Sequence, residues 1–243
     1  MPPYRRPRNC RCGFSLIELL TVLLIIGILS SVMIGVVFTD SGSAAMPAAQ
    51  RTLASMLSSA RTTAMLNNSN AYLLIYGDNG SIGTATGTDP QKYLRFMGVV
   101  YEDPDSTSTL IPANSGAYLP QGCYFTPGDS TDGPGDNVVS SDLPTVSVAF
   151  PNPSGTANTW YAIGFDKNGE TLTSSESNLA GYNPSGRSFE LVIRPSDPPE
   201  PGSWPLDPSD SSVAQGQFDA LGIFVRPQGR SMMMNDFEEI ETN

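Results

Sequence analysis

A single carboxylate, Glu18, stands inside the most apolar stretch of the chain, CRCGFSLIELLTVLLIIGILSSVMIGVVF over residues 10–38. From 19 to 38 nearly every residue is Leu, Ile, Val, Gly or Met. An unpaired carboxylate in such a phase costs roughly 2.5 kcal/mol or more near a bilayer centre and less near its interface. An acid that persists there marks a function and asks for a partner. The junction Gly13-Phe14 lies just ahead of it. An ordinary secretory signal is instead cut after its apolar core, at an Ala-x-Ala type of site.

The other candidates for chemistry lie far downstream. Asp129, Asp132, Asp136, Asn137 and Asp142 crowd one loop. Oxygen ligands at close spacing suit calcium, but this spacing fits no EF-hand, and Pro134 with its glycines reads as solvated loop. Asp166, Asn168 and Glu170 alternate, as a turn requires. Asp166, Glu170 and Glu190 are the carboxylates available for acid–base work, with no other chemistry to support them. Cys10 and Cys12 form a C-x-C pair without a second ligand pair. Cys123 is the sole cysteine after Gly13. The chain has no histidine, which removes Ser-His-Asp and Cys-His arrangements and His-ligated zinc. We expect no enzymatic activity, no metal and no cofactor.

These residues need elements to hold them. A helix over residues 14–38 is about 37 Å long, enough to cross a hydrocarbon core of about 30 Å. It is apolar on all sides, so it has no solvent face. Arg5, Arg6, Arg8 and Arg11 precede it, and Asp40 follows. Positive charge stays inside, so the amino terminus is expected in the cytoplasm and the bulk of the chain outside. Formal net charge is −11, and without the four leading arginines nine basic residues face 24 acidic ones. That argues against a nucleic-acid partner, which needs clustered Lys and Arg.

Residues 39–46 form a soft break, and Pro47 can start a helix or kink one. Over 48–66, Leu53, Met56, Leu57, Ala60 and Ala64 recur at steps of three and four, which predicts an amphipathic helix lying on a sheet. Asn67-Asn68-Ser69-Asn70 ends it. Strands are predicted at 71–76, 92–101, 145–150, 161–165, 170–173, 188–194, 220–226 and 230–234. A long polar stretch, 102–142, holds one short strand near 117–125. Asp166-Lys167-Asn168-Gly169 predicts a hairpin turn with positive φ at Asn168 and Gly169, and Pro227-Gln228-Gly229 another. Residues 195–216 are too Pro-rich for a ladder. The class is α+β: a long hydrophobic amino-terminal helix continues into an amphipathic helix packed on a carboxy-terminal antiparallel sheet or sandwich. Four parts are expected: a leader (1–13), an apolar helix (14–38), a linker with the amphipathic helix (39–68) and a β-rich domain (69–243).

Gly13-Phe14-Ser15-Leu16-Ile17-Glu18-Leu19-Leu20 resembles the type IV prepilin signal. The resemblance implies that prepilin peptidase cuts between Gly13 and Phe14 and methylates the new amine of Phe14. That amine is the cation Glu18 lacks. Together in lipid the two are far cheaper than apart; Glu18 can pair with its own amine or with that of a neighbouring subunit, and the resemblance implies the neighbour's, so that the pair sets the stagger of a filament. RTLASMLSSARTTAMLNN (51–68) leading into AYLLIY, the Phe165–Gly169 segment and the closing Gly229-Arg230 are similar to the GspH/FimT type of minor pseudopilin of type II secretion.

The resemblance implies a structural subunit of a pseudopilus that supports protein export across the outer membrane. It implies a single-pass inner-membrane precursor, with the carboxy-terminal domain in the periplasm. Its partners would be other pseudopilins or pilins through the amino-terminal helix, prepilin peptidase, the inner-membrane assembly platform and exported protein. The alternative is a type IV pilin or minor pilin for adhesion, motility or DNA uptake. A third reading is an uncut anchor carrying a binding domain or enzyme.

Overall fold

The computed structural model describes residues 16–17, 19–26, 41–78, 91–127, 143–195 and 220–234. It divides into two units, Met1–Ser41 and Gly42–Asn243. In the first, residues 16–17 and 19–26 are helical; this is α1. The second is mostly β-sheet with one helix packed on it.

That helix, α2 (Ser41–Asn67), carries Pro47 inside it. The helix therefore runs through the proline instead of starting at it, and begins seven residues before the predicted 48. Its core face is Met46, Ala49, Leu53, Met56, Leu57, Ala60 and Ala64, all buried. Burying a leucine of this kind stabilises the fold by about 1.5–3 kcal/mol. The helix stops where the asparagines predict. Asn68 takes the left-handed conformation (φ 50°), Ser69 N–H donates to Ala64 O at 3.2 Å, and Asn67 Nδ2 donates to Thr63 O at 2.9 Å. This is a Schellman-type end with Asn in place of Gly.

Ten strands follow among the described residues: β1 (Ala71–Tyr76), β2 (Phe96–Asp103), β3 (Ser106–Pro112), β4 (Ala117–Tyr118), β5 (Cys123–Thr126), β6 (Thr145–Val148), β7 (Asn158–Phe165), β8 (Phe189–Pro195), β9 (Leu221–Val225) and β10 (Ser231–Met234). They form two antiparallel sheets. One has the order β3-β2-β1-β7-β6 with β4 beside β2; the other is β10-β9-β8-β5. The inner faces of both sheets meet α2. Leu73 and Ile75 of β1, Val99 of β2, Ile163 of β7, Leu191 and Ile193 of β8 and Ile223 of β9 join the helix in one cluster. The opposite face of the larger sheet is also buried. There Tyr72, Leu74, Trp160, Val146 and Phe150 pack under Leu172 and Tyr182. β1 is thus buried at all six positions, and for this reason AYLLIY shows no alternation.

The structure corrects three sequence expectations. The stretch 102–142 holds β3, β4 and β5, not one short strand. β3 (STSTLIP) is polar at its start and hydrogen-bonds to β2 through a register shift at Glu102/Asp103, so hydrophobic alternation could not reveal it. Residues 170–173 form no strand. Thr171 makes one bridge to Phe165, but its N–H donates to Pro227 O, and Thr173 N–H turns to Glu176 Oε2 at 2.9 Å. The 166–169 turn has positive φ at Gly169 alone (78°). Asp166 N–H donates to Glu170 O and Gly169 N–H to Asp166 O. This is a three-residue loop closed by a left-handed glycine, not a two-residue Asn-Gly turn. The β9–β10 turn repeats it: Arg226 N–H donates to Arg230 O, Gly229 N–H to Arg226 O, and Gly229 has φ 68°.

Candidate functional site

The candidate site read from the sequence is the amino-terminal stretch. Gly13, Phe14 and Glu18 lie outside the described residues. Their neighbours do not: Leu16, Ile17, Leu19, Leu20, Val22, Leu23, Leu24, Ile25 and Ile26 are helical and 48–82% exposed. The apolar side chains go all around α1, so no single contact surface hides them. Among the described residues no helix is long and apolar enough to cross a membrane.

In the second unit Asp166 closes a turn, Glu170 joins an ion pair and Glu190 lies on β8. Asp166 Oδ1 accepts the N–H groups of Asn168 (2.9 Å) and Glu170 (2.7 Å), and Oδ2 accepts Asn168 Nδ2. It is a turn-forming Asp. Glu170 pairs with Arg187 at 3.8 Å, and the same arginine binds Glu176 at 2.6 Å. The Glu176 carboxyl is held low, first by the Thr173 N–H and then by its hydroxyl. Glu190 lies on β8, opposite Phe224, where burial pushes its carboxyl up to about 7. No group of three or more His, Cys, Asp or Glu among the described residues is arranged to hold a metal ion. The acidic loop 129–142 lies outside them. Cys123 is buried and unbridged, and burial pushes its thiol up, away from the reactive thiolate.

The sequence reading missed three polar residues that organise this unit. Glu102, 3% exposed, accepts hydrogen bonds from Tyr72 Oη (2.5 Å), Asn70 Nδ2 (3.2 Å), Asn178 N (3.2 Å) and Asn178 Nδ2 (2.8 Å). These neutral donors supply the hydrogen bonds that a buried acid requires. Burial, then Glu102, drives the Tyr72 hydroxyl far above its ordinary value. The cluster pins the 176–182 segment onto the larger sheet. Beside it lies a groove of about 490 Å³ lined by Asn68, Asn70, Asp103, Lys167 and Glu176.

Gln50 is 4% exposed, and its Nε2 donates to Gly222 O (2.8 Å) and Met234 O (3.0 Å), which ties α2 to the smaller sheet. Arg61 Nε donates to Gly169 O at 3.0 Å. At that point the two hairpin turns meet. A Cβ on Gly229 would stand 1.9 Å from Gly169 O, so only glycine allows the approach. The Phe165–Gly169 and Gly229-Arg230 segments, 60 residues apart in the chain, thus interlock over α2. A signal for Gln50 existed: a polar residue three positions before Leu53 and seven before Leu57, on the apolar face.

Residues 8–34 match the family described as the prokaryotic N-terminal methylation motif. The chain carries a type IV prepilin-like amino terminus. Comparison with curated proteins and with solved structures gave no match. The matched segment contains Gly13, Phe14, Glu18 and all the described residues of α1. The motif supports a type IV pilin-like or pseudopilin precursor and implies a membrane-anchored or filament protein; proteins with this motif are structural subunits, not enzymes.

Proposed function

We propose that the chain is a structural subunit, a minor pseudopilin of a type II secretion-like pseudopilus. Residues 1–13 are a leader removed by prepilin peptidase between Gly13 and Phe14, and the new amine of Phe14 is methylated. Residues 14–38 hold the precursor in the inner membrane, amino terminus inside, and later form the filament core. Residues 39–68 carry the linker and α2, and 69–243 form the periplasmic domain. The observation that carries this reading is the methylation motif falling on a helix whose apolar side chains are exposed on every side. Such a helix needs a lipid or protein environment from outside its own domain. Glu18 then pairs with a subunit amine, because two opposite charges in lipid cost far less together than apart.

Two features support the secretion reading over a surface pilin. Cys123 is the sole cysteine after Gly13, so the trimmed chain has no internal disulfide. The two turns quoted in the GspH/FimT resemblance pack on each other through glycines. Exported protein and the assembly platform complete the partner set.

Amino-terminal analysis and intact mass of the membrane-extracted protein test the reading. The expected mature chain begins at methylated Phe14, and Gly13→Ala leaves the full-length precursor. A wild-type chain that still begins at Met1 would end both filament readings.

A further inference from the structure

Only nine basic residues follow Gly13, and four of them meet at one end of the second unit. Arg61 Nε donates to Gly169 O. Lys167 stands two residues before that glycine, and Gly229, which abuts it, lies between Arg226 and Arg230. Consecutive Cα atoms are about 3.8 Å apart, so Lys167, Arg226 and Arg230 all lie within about 12 Å of the glycine contact. Arg226 N–H donates to Arg230 O, which sets the two arginines opposite each other across the hairpin. Like charges so placed are destabilising. Both are exposed, and none of the four cations makes an ion pair among the described residues.

On the other side of the 166–169 turn the sign reverses. Asp166 and Lys167 line the groove with Asp103, Glu176 and the buried Glu102. Arg187 balances Glu176, whereas Glu102, Asp103 and Asp166 make no ion pair among the described residues. Asp105, exposed, follows the groove-lining Pro104. Asn168 marks the border between the two signs: Lys167 before it lines the groove, and Gly169 after it meets Gly229. Apolar surface lies at the same end. A Cβ on Gly169 would stand 3.0 Å from Met65 Sδ; Met65 is 51% exposed and Leu66 80%.

Acids and arginines side by side select the partner. A polyanion, such as nucleic acid or an anionic membrane, is drawn to the arginines and repelled by the neighbouring carboxylates. A second copy, rotated by a half turn about the border, meets each sign with its opposite.

We propose that this end of the domain is a homotypic docking face. The Arg226/Arg230 hairpin of one copy seats against the acidic groove of the other, and the reverse, about a two-fold axis near Asn168. Arginine forks suit carboxylates, and Met65 and Leu66 add apolar area between the charged sides. The charges are exposed, so salt weakens the contact, and its occupancy depends on the local concentration of copies. This inference does not rest on the assignment of residues 8–34.

Disulfide trapping of the full-length chain in membranes tests it, in a background with Cys10→Ser and Cys12→Ser and with buried Cys123 retained. On oxidation, Asn168→Cys is expected to give at least tenfold more homodimer than Thr145→Cys on β6. Raising the salt from about 50 mM to about 500 mM should lower that yield at least threefold. Arg226→Glu with Arg230→Glu should lower it at least fivefold, and so should Asp103→Lys with Asp105→Lys. The two charge-reversed chains, differently tagged and expressed together, should crosslink to each other at no less than half the original yield. That rescue separates lost pairing from lost fold. An Asn168→Cys yield equal to that of Thr145→Cys, or indifferent to salt, would overturn the proposal. So would reversed chains that fail to pair with each other, or a loss on reversing the arginines that reversing the acids does not reproduce, the mark of a foreign anion.

Discussion

Leu19, Leu20, Leu23 and Leu24 in α1 and Leu53 and Leu57 in α2 are the same residue in the same secondary structure. The first four are 58–60% exposed; the last two are 1–2% exposed. The difference lies in the residues between them. In α2 the leucines are spaced by Arg51, Ser55, Ser58 and Thr62, so the apolar side chains share one face, and two sheets cover it. In α1 only Thr21 interrupts the run from 19 to 26, so every face is apolar. A helix with one apolar stripe finds its cover within its own domain, while a helix apolar all round needs lipid or other subunits. One chain thus holds a region that completes itself and a region built to be completed by others.

Three experiments break or sharpen this contrast. The largest effect is expected from Glu18→Val. The variant should be trimmed and folded like wild type, yet be missing from sheared filaments, because the Phe14 amine loses its partner; normal recovery in filaments would remove the pairing argument. Next is the leucine comparison itself. Leu53→Ala should cost about 2–5 kcal/mol of domain stability in denaturant unfolding of the detergent-solubilised chain. Leu23→Ala should leave that transition unmoved, and an equal loss from both would erase the distinction between self-covered and partner-covered leucines.

The smallest effect is a pH dependence. Glu190 has its carboxyl raised to about 7 by burial, against an ordinary value near 4.3. Between these values the folded chain binds the proton and the unfolded chain does not, so stability falls as pH rises through the window. The thermal midpoint of wild type should therefore drop from pH 5 to pH 8, and Glu190→Gln should show a shallower drop. Identical slopes would mean that Glu190 is solvated as an ordinary surface acid.

How much of this was legible beforehand follows from the range of each interaction. The α2 face, its asparagine stop and the strands AYLLIY, TVSV and FELVIRP come from local patterns, and local patterns are readable in order along the chain. The turn at 166–169 was readable as a turn but not as a type, because Asn168 is compatible with two geometries and the hydrogen bonds between Asp166 and Glu170 choose one. β3 was hidden because its first four residues are Ser and Thr and its pairing with β2 shifts register at Glu102/Asp103. Residues 170–173 looked like a strand and are not, because Thr171 gives its N–H to Pro227, 56 residues away.

The amino-terminal motif needed nothing but sequence. The proposed roles of Gly13, Phe14, Glu18 and the apolar run rest on adjacency and spacing along the sequence, which are properties of the chain itself. The burial of Glu102 under Tyr72 and Asn178 and the meeting of Gly169 with Gly229 over Arg61 were decided only by the tertiary structure. Each depends on which distant segments the packed sheets bring together, and no local pattern carries that information.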